Sequence, residues 1–213
     1  MFPPHFIERL TERLQEPLPG LDSQLQMAPL ERRRHVKRFR VPDDARKSAV
    51  LILLYPQGDH NWHLPIQVRN AYPGVHSRQL GLPGGGMEPE DAHYEATALR
   101  ETREEIGVPS DHIQLLGRLS PLYIPPSNYF VQPIVGTAAQ RPDFTPDPSE
   151  VAELLEVPLR DFLDPANNVE ATIERGDGHA YRVPSFQVQG RTIWGATAMM
   201  LNEFRTITEE IIG

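Results

Sequence analysis

Cysteine is absent from the sequence. Disulfide bonds, thiolate metal sites and cysteine nucleophiles are therefore excluded, and the composition is compatible with the cytoplasmic location that we predict. The sequence also lacks any apolar run of about eighteen residues, so no transmembrane helix is expected. The first four residues do not show the basic-then-apolar pattern of a secretory signal, and we expect no such signal here.

Basic residues are the scarcer charged class. Lys and Arg number 21 against 29 Asp and Glu, which gives a formal net charge of −8. A field of this sign disfavours nonspecific binding to nucleic acid or to an anionic membrane, and we predict neither as a partner. It does not exclude a phosphorylated substrate, because a bound metal ion inverts the local field. The one basic cluster, at residues 31–40, is interpreted as a solvated helix face or linker; a nucleic-acid patch and a source of cations for a phosphate pocket are less favoured alternatives.

Glycine and glutamate are concentrated in the segment Gly84–Val108, where three consecutive glycines precede a predicted helix. Glu101, Glu104 and Glu105 are separated by three or four residues, which places their side chains on one face of that helix. Three carboxylates crowded on one face repel one another, and a divalent cation would relieve the repulsion. Hard oxygen ligands favour Mg²⁺, with Mn²⁺ or Ca²⁺ as alternatives.

This segment resembles the Nudix box, G-x5-E-x7-R-E-U-x-E-E-x-G-U, in which U is a bulky aliphatic residue. Gly85, Asp91 and the run 100–108 occupy its fixed positions. Three features depart from the motif: the first acid is Asp91 rather than Glu, one additional residue separates it from the box arginine, and Thr102 stands at an aliphatic position. The aspartate, the longer spacing and the T-A-L-R-E run at 97–101 are similar to the coenzyme A diphosphatase branch of that family.

The resemblance implies an α+β fold in which a mixed β-sheet is sandwiched between α-helices. The order of predicted strands and helices indicates the same class. We expect residues 1–46 to form an N-terminal helix and arm packed on the domain, and residues 47–213 to form a Nudix hydrolase domain. Within that domain, about 47–165 would be the core and 166–213 a C-terminal hairpin and helix.

The resemblance also implies how the box would bind metal. Glu101, Glu104, Glu105 and the backbone carbonyl of Gly85 would hold Mg²⁺ or Mn²⁺, and glycine suits this role because it lets the main chain approach a cation closely. Arg100 would orient the glutamates by ion pairing. The implied reaction is hydrolysis of a pyrophosphate, which needs charge neutralisation, an activated water and a good leaving phosphate.

The general base is left open between two places in the chain. Members of the resembled family take it from the box helix, here Glu101 or Glu104, or from a glutamate in a distal loop. Glu150 resembles that distal position, with plain loop surface as its alternative, and Glu153 is the weaker candidate. The residues predicted to be catalytic are therefore Glu101, Glu104, Arg100 and Glu150.

The residues before the box partly resemble a second motif of the same branch, L-T-x-R-S-x-x-L-x-x-H-x-G-Q-x-x-F-P-G-G. The aligned residues are Arg69, His76, Gln79 and Pro83, whereas Asn70, Pro73, Arg78 and Leu82 replace the usual residues. Arg69 and Arg78 are predicted to pair with a substrate phosphate through their planar donor forks, and His76 to contact substrate. Tyr129 is predicted to stack on a base, with a core aromatic role as an equal alternative.

The implied substrate is a nucleoside diphosphate linked to another moiety. Coenzyme A or an acyl derivative is favoured, and its cleavage would give adenosine 3′,5′-bisphosphate and a 4′-phosphopantetheine product. An ADP-ribose or nucleotide-sugar hydrolase would share the same site with a different pocket. A ligand-sensing module without catalysis is the rival from another class, and the intact glutamate set argues against it. Homodimerisation is left open.

Apolar periodicity gives the remaining elements. A helix is predicted over 3–16 and a mostly irregular arm over 17–46. The other predicted elements are strands at 48–55, 62–69, 115–119, 129–135, 169–175, 180–188 and 191–193, a short helix at 158–163 and a closing helix at 194–212. The segment 151–155 is ambiguous and is assigned to no element.

Overall fold

A mixed β-sheet with helices on both faces is the architecture of the computed structural model of this protein. The structure describes residues 2–35, 40–58, 61–70, 79–174 and 180–213. The α-helices are α1 (Phe6–Arg13), α2 (Gly20–Gln24), α3 (Leu30–His35), α4 (Tyr94–Ile106), α5 (Leu159–Leu163) and α6 (Gly195–Ile212). The strands are β1 (Arg46–Pro56), β2 (Trp62–Arg69), β3 (Leu80–Gly81), β4 (Gly84–Gly86), β5 (Gln114–Arg118), β6 (Leu122–Ile124), β7 (Tyr129–Thr137), β8 (Val151–Pro158), β9 (Asn168–Glu174), β10 (Ala180–Val188) and β11 (Arg191–Trp194).

Strand β1 is the centre of the larger sheet. It pairs in parallel with β7, antiparallel with β4 and, at its last residues, antiparallel with β2. Leu51, Ile52, Leu53 and Leu54 are all fully buried, because side chains on both faces of this strand are covered. Successive residues enter opposite cores, so the continuous apolar run predicted as a buried strand supports packing on both sides of the sheet.

The two cores place different helices on the two faces. Leu51 and Leu53 pack with Ala98 of α4 in one core. Ile52 and Leu54 belong to the other core, which also contains apolar residues of α1, α5 and α6. The predicted α+β class with a sheet between helices is confirmed by this arrangement. Within the described ranges, no helix is both long and apolar enough to cross a membrane.

The prediction of a mostly irregular arm over 17–46 is wrong for the first half of that segment. Helix α2, a 3₁₀ turn at Leu25–Met27 and α3 lie there. These pieces are too short to show apolar periodicity, and prolines interrupt them. Their stability comes from contacts with distant parts of the chain: the buried side chains of Ser23 and Gln24 bond to α6. Such long-range contacts leave no local pattern in the sequence.

Two other elements refine the prediction. The ambiguous segment 151–155 is the start of β8, which pairs antiparallel along β2. The first helix is shorter than the predicted 3–16, since α1 ends at Arg13. The predicted hairpin is formed by β9 and β10, and β11 extends it to a three-stranded sheet that leads into α6.

Candidate active site

Helix α4 carries the clustered glutamates and is fixed at both ends. At its start the His93 side chain accepts a hydrogen bond from the Ala96 N–H at 3.1 Å. At its end Gly107 adopts a left-handed conformation, with φ of 75°, and its N–H donates to the Arg103 carbonyl. Glycine is favoured there because it adopts positive φ without strain, and an added Cβ would also lie 2.8 Å from Thr145.

The glycine loop before α4 brings main chain against both the sheet and a carboxylate. Gly84 has φ of 150°, and an added Cβ would overlap the backbone of Ala49 and Val50 on β1. A Cβ on Gly85 would lie 2.6 Å from the Glu101 carboxylate. The Glu101 side chain therefore occupies the space that the missing side chain of Gly85 leaves. The metal-binding role predicted for the Gly85 carbonyl stays a prediction.

Glu105 is the most deeply buried of the three box glutamates, with 2% of its side chain exposed. One carboxylate oxygen accepts a hydrogen bond from the Gly84 N–H at 2.7 Å. The other lies 3.7 Å from the Arg69 guanidinium. Burial raises the pKa of Glu105 to about 7, and Arg69, the Gly84 N–H and the nearby Gln67 amide oppose that rise. Three donors nearby do not offset the loss of water around this carboxylate.

Glu101 is also largely buried, and its pKa is raised. Burial is the main cause, and the negative charges of Glu104 and Glu150 add to it. The Arg100 guanidinium, 3.0 Å from the Glu101 carboxylate, opposes these effects. The structure therefore brings Glu101 and Glu105 to the glycine loop as two carboxylates whose charged forms are incompletely stabilised.

Arg100 makes hydrogen bonds to several groups of the box. Its guanidinium bonds to both carboxylate oxygens of Asp91, to the Gly86 carbonyl at 2.9 Å and to the Glu104 carboxylate at 2.9 Å. It also contacts Glu101. One planar cation therefore connects the glycine loop, the aspartate before α4 and two box glutamates. This geometry suits the orienting role that the sequence predicted for Arg100.

The loop that carries Glu150 is attached to the end of α4. The Asp147 N–H donates to the Glu105 carbonyl at 2.9 Å, and the Thr145 N–H donates to the carbonyl of the residue after Glu105. The Glu150 side chain is exposed, and its charge raises the pKa of Glu101. Glu150 thus lies on the carboxylate side of the box, separated from it by more than forty positions in sequence.

A cavity of about 250 Å³ adjoins the glycine loop. Gly84 and Gly85 form part of its lining, together with two predicted substrate-contact residues, Arg69 and Tyr129. A larger cavity of about 350 Å³ lies beside residues 2–8, away from the carboxylates. The smaller cavity is the one whose position matches the chemistry of the box.

Tyr129 is only partly buried and lines this cavity. The Arg46 guanidinium lies over its ring, 4.0 Å from the centroid, and donates a hydrogen bond to the Ser127 carbonyl. An aromatic ring held in this way offers a surface on which a base can stack. Tyr129 also packs against the larger apolar core, so its position is compatible with both predicted roles.

Three predicted residues are not seen at the site. Glu153, the weaker candidate for a base, is paired with Arg191 of β11. His76 and Arg78, both predicted to contact substrate, lie outside the described residues. Of the residues predicted to contact substrate, the structure places Arg69 and Tyr129 at the cavity.

Residues 45–175 match the family model of the NUDIX domain, which covers more than half of the chain. The chain belongs to the Nudix family. A relative named uncharacterized Nudix hydrolase NudL, from Photorhabdus laumondii, is 34% identical over 164 residues, which are 77% of this chain and 86% of the relative. A relative of the same name from Yersinia pestis is 36% identical over 156 residues, covering 73% of this chain and 76% of the relative.

The fold agrees with a solved Nudix structure. The Nudix hydrolase RenU from M. smegmatis superposes with a TM-score of 0.52 at 18% identity, over 78% of this chain and 88% of that one. At this identity the likeness shows the fold alone. The region matched by the NUDIX domain begins just before β1 and ends after β9, so α1–α3 and α6 lie outside it.

The departures of this Nudix box have physical explanations. Asp91 lies on the turn before α4, so its distance in sequence from Arg100 is not set by the helical period and one additional residue is accommodated. The Asp91 carboxylate also accepts hydrogen bonds from the Glu88 N–H and the Thr97 hydroxyl, so nearby donors satisfy this shorter side chain. Thr102 is fully buried at an aliphatic position because its hydroxyl bonds within the helix, to the carbonyl four residues earlier.

The donor set of this Nudix box fits a hard divalent cation. Glu101, Glu104, Glu105 and the Gly85 carbonyl supply only oxygen atoms, and they come from one helix face and the adjacent loop. Among the described residues, no group of three or more acidic or histidine side chains is already gathered as a metal site. Glu104 is bonded to Arg100 and Glu105 to the Gly84 N–H, so binding a cation would require these side chains to exchange partners.

Sequence reasoning missed two kinds of residue in this Nudix site. Gln67, fully buried on β2, approaches Glu105, but a lone glutamine in an apolar strand gives no functional signal. Thr197 and Met200 of α6 line the cavity. The apolar spacing predicted this helix, although most of its circumference is buried, so the pattern could not show which side chains face a cavity.

Proposed function

We propose that this Nudix hydrolase cleaves the diphosphate of coenzyme A or a derivative, with a divalent cation as cofactor. The observation that carries the proposal is the meeting of Glu101 and Glu105 with the glycine loop at the side of a cavity lined by Arg69 and Tyr129. Acidic ligands, a close-approach backbone and a neighbouring cavity are the parts that a pyrophosphohydrolase of a nucleotide derivative requires.

Four groups would hold the cation: the carboxylates of Glu101, Glu104 and Glu105 and the carbonyl of Gly85. When bound, Mg²⁺ or Mn²⁺ neutralises diphosphate charge and lowers the pKa of a water molecule. Burial of Glu101 and Glu105 supports this assignment, because a nearby cation would favour the charged forms that burial disfavours.

The other residues would orient the reactants and accept a proton. Arg100 would keep Glu101 and Glu104 in register with the glycine loop. Glu150 would take the proton from the attacking water, since its carboxylate is exposed on the same side. The water oxygen forms a bond to one phosphorus, the phosphoanhydride P–O bond breaks, and two phosphate monoesters leave, adenosine 3′,5′-bisphosphate and 4′-phosphopantetheine.

Coenzyme A is favoured by residues of the motif rather than by the cavity alone. The T-A-L-R-E run and the longer spacing after Asp91 are similar to the coenzyme A diphosphatase branch, and Arg69 of the upstream motif lies at the cavity. Arg69 donates one hydrogen bond to the Gly84 carbonyl and keeps 32% of its side chain exposed. It can therefore brace the loop and still meet a phosphate.

A substrate panel tests the proposal. Coenzyme A, dephospho-coenzyme A, ADP-ribose, NADH and nucleotide sugars are each incubated with the protein and Mg²⁺ or Mn²⁺, and the products are separated by chromatography. We expect the highest kcat/KM for coenzyme A, with adenosine 3′,5′-bisphosphate as product. A clear preference for ADP-ribose or a nucleotide sugar would show that coenzyme A is the wrong substrate assignment. If no compound is hydrolysed, a ligand-sensing module is favoured.

The 3′-phosphate gives a finer test of the same proposal. Dephospho-coenzyme A lacks this phosphate and should react less well, because the Arg69 guanidinium at the cavity then has no 3′-phosphate to bind. Arg69→Gln should reduce the difference in kcat/KM between the two compounds, because it slows hydrolysis of coenzyme A more than hydrolysis of the dephospho form. Equal kcat/KM for both compounds in the unmodified protein would show a pocket that does not recognise the 3′ position.

A further inference from the structure

One wall of the cavity comes from a part of the chain that the NUDIX domain match does not reach. Ala196, Thr197 and Met200 line the cavity, and all three lie on α6. The match ends at residue 175. The catalytic loop and this wall therefore come from different parts of the sequence, and the wall can vary while the box is unchanged.

The three residues face the cavity together because of helical geometry. Positions 196, 197 and 200 lie on one side of a helix, separated by one, three and four residues. The Thr197 hydroxyl donates to the Leu80 carbonyl at 3.1 Å, which ties the start of α6 to β3. Leu80 lines the same cavity. Met200 is 3% exposed, so its side chain closes the wall rather than projecting into solvent.

The helix is held in this position by a buried carboxylate one turn further on. Glu203 is fully buried and accepts hydrogen bonds from the Gly20 N–H at 3.0 Å, the Gln24 side-chain amide at 2.8 Å and the Ser120 N–H. Gly20 and Gln24 belong to α2, and Ser120 follows β5. These bonds fix how far along its axis α6 can lie, and hence where Met200 meets the cavity.

The size and lining of the cavity indicate what it holds. Its volume of about 250 Å³ is below the range of about 300–1,000 Å³ that encloses a drug-sized ligand, so it fits one half of a large diphosphate substrate. The Tyr129 ring and the hydroxyl-bearing residues Ser48 and Ser127 lie in the lining. An aromatic surface with a few polar groups suits a nucleoside better than a flexible chain.

We infer that Thr197 and Met200 determine the specificity of the site by shaping its cavity around the nucleoside half of the substrate. The inference rests on the proposed function for the identity of that substrate. It assigns no part in the chemical step to either residue, because the box carboxylates and α6 lie on different elements of the fold. Changes at the wall should therefore alter substrate binding and leave metal dependence unaffected.

Met200→Phe is the first test, because a larger rigid side chain narrows the cavity. We expect the KM for coenzyme A to rise about tenfold, the scale on which small changes of shape act in an apolar pocket, with little change in kcat or in the Mg²⁺ concentration for half-maximal rate. Met199→Leu is the matched control, since Met199 is buried on the same helix and does not line the cavity. A fall in kcat with unchanged KM would overturn the inference.

Thr197 provides a second test that does not depend on overpacking. Thr197→Val keeps the shape and removes the hydroxyl bond to Leu80, whereas Thr197→Ser keeps the hydroxyl. We expect the valine variant to raise KM for coenzyme A and the serine variant to restore most of the loss. Equal KM values for both variants and the unmodified protein would count against a specificity role for this residue.

Calorimetric binding of the two halves separates this inference from the proposed function. ADP and 4′-phosphopantetheine are titrated into the protein with and without Met200→Phe. Weaker binding of ADP alone supports the inference, even if the unmodified protein fails to hydrolyse coenzyme A and the proposed function is lost. Weaker binding of 4′-phosphopantetheine alone, or no change for either compound, overturns it.

Discussion

Two buried glutamates show how the active-site region differs from the region that supports it. Glu105 on α4 and Glu203 on α6 are both almost inaccessible to water, with 2% and 0% of their surface exposed. Glu203 accepts N–H groups from three residues, whereas Glu105 accepts a hydrogen bond from the Gly84 N–H and has the Gln67 amide nearby and the Arg69 guanidinium at 3.7 Å. A carboxylate offers two oxygens and about four acceptor sites, so the first is nearly satisfied and the second is not.

The difference separates structural from functional use of the same side chain. Glu203 exchanges its hydration for protein donors and joins α6 to the N-terminal helices. Burial raises the pKa of Glu105 to about 7, which shows that the protein alone does not stabilise its charge fully. A carboxylate left in that state is suited to a cation, because the cation would supply what the protein withholds.

The largest effect is expected for stability when Glu203 is replaced. Glu203→Leu would remove the shared acceptor of three N–H groups, one of them buried and two part-buried, and each group left unsatisfied costs about 1–3 kcal/mol. We expect the free energy of unfolding, measured by urea denaturation, to fall by about the sum of these penalties. Glu209→Gln is the control, since Glu209 lies on the same helix, pairs with Arg205 and keeps 43% of its side chain exposed. Equal stability of the two variants would show that the buried network is not what holds α6.

Replacing the box glutamates should affect turnover rather than folding. Glu104→Gln and Glu105→Gln each remove a charged oxygen ligand, and we expect turnover to fall about 10²-fold or more. The free energy of unfolding should be preserved, because removing a charge relieves repulsion on this helix face. Glu95→Gln serves as control, since Glu95 lies on the same helix and pairs with Arg118. Near-normal turnover of both variants at saturating Mg²⁺ would contradict the metal assignment.

The same contrast explains how far the fold could be predicted. The apolar run of β1 and the glutamates of α4 carry their periodicity locally, and the structure has both elements where the sequence places them. Helix α2 is held by contacts such as Gln24 to Glu203, 179 positions apart, and α3 by the bond from Arg32 to the Tyr123 carbonyl, 91 positions apart. Local propensity contains no trace of a partner so distant, and the arm was therefore predicted to be irregular.

The candidate site divides in a similar way. The box motif led to Arg100 and its glutamates, and the structure gathers them around the glycine loop. The motif could not lead to Thr197 or Met200, since they reach the cavity only because α6 packs back on the sheet. Residues that act through spacing along one helix are visible in a sequence, whereas residues that act through packing become visible only in the fold.

Glu150 tests whether an exposed carboxylate can assist the buried ones. General-base help is typically worth about 10²–10⁴-fold, and we expect Glu150→Gln to lower kcat at least about tenfold while the Mg²⁺ requirement stays the same. Glu153→Gln is the control, because Glu153 is paired with Arg191. Rescue of the Glu150 variant by higher Mg²⁺ would make Glu150 a metal ligand. Normal kcat would return the role of base to Glu101 or Glu104.

Asp91 is a third buried carboxylate, and it differs from Glu105 because nearby donors satisfy it although it lies in the box region. The Arg100 hydrogen bonds are the main cause that holds its pKa at about 2, below the ordinary value of 3.8, and the Glu88 N–H and Thr97 hydroxyl add to the effect. The unfolded chain therefore takes up its proton at a higher pH than the folded protein does. The resulting stabilisation is complete above about pH 4 and is lost as the pH falls through about 2.

The smallest predicted effect is therefore one that depends on pH. Asp91→Asn should be less stable than the unmodified protein at neutral pH, and the difference should shrink as the pH is lowered from about 4 to about 2, where both side chains are neutral. Urea denaturation midpoints measured across this range give the difference directly, since other carboxylates titrate equally in both proteins. Asp111→Asn, an exposed change, controls for loss of charge alone. A difference that stays constant with pH would mean that Asp91 acts through packing, and that its ion pair with Arg100 adds nothing to the folded state.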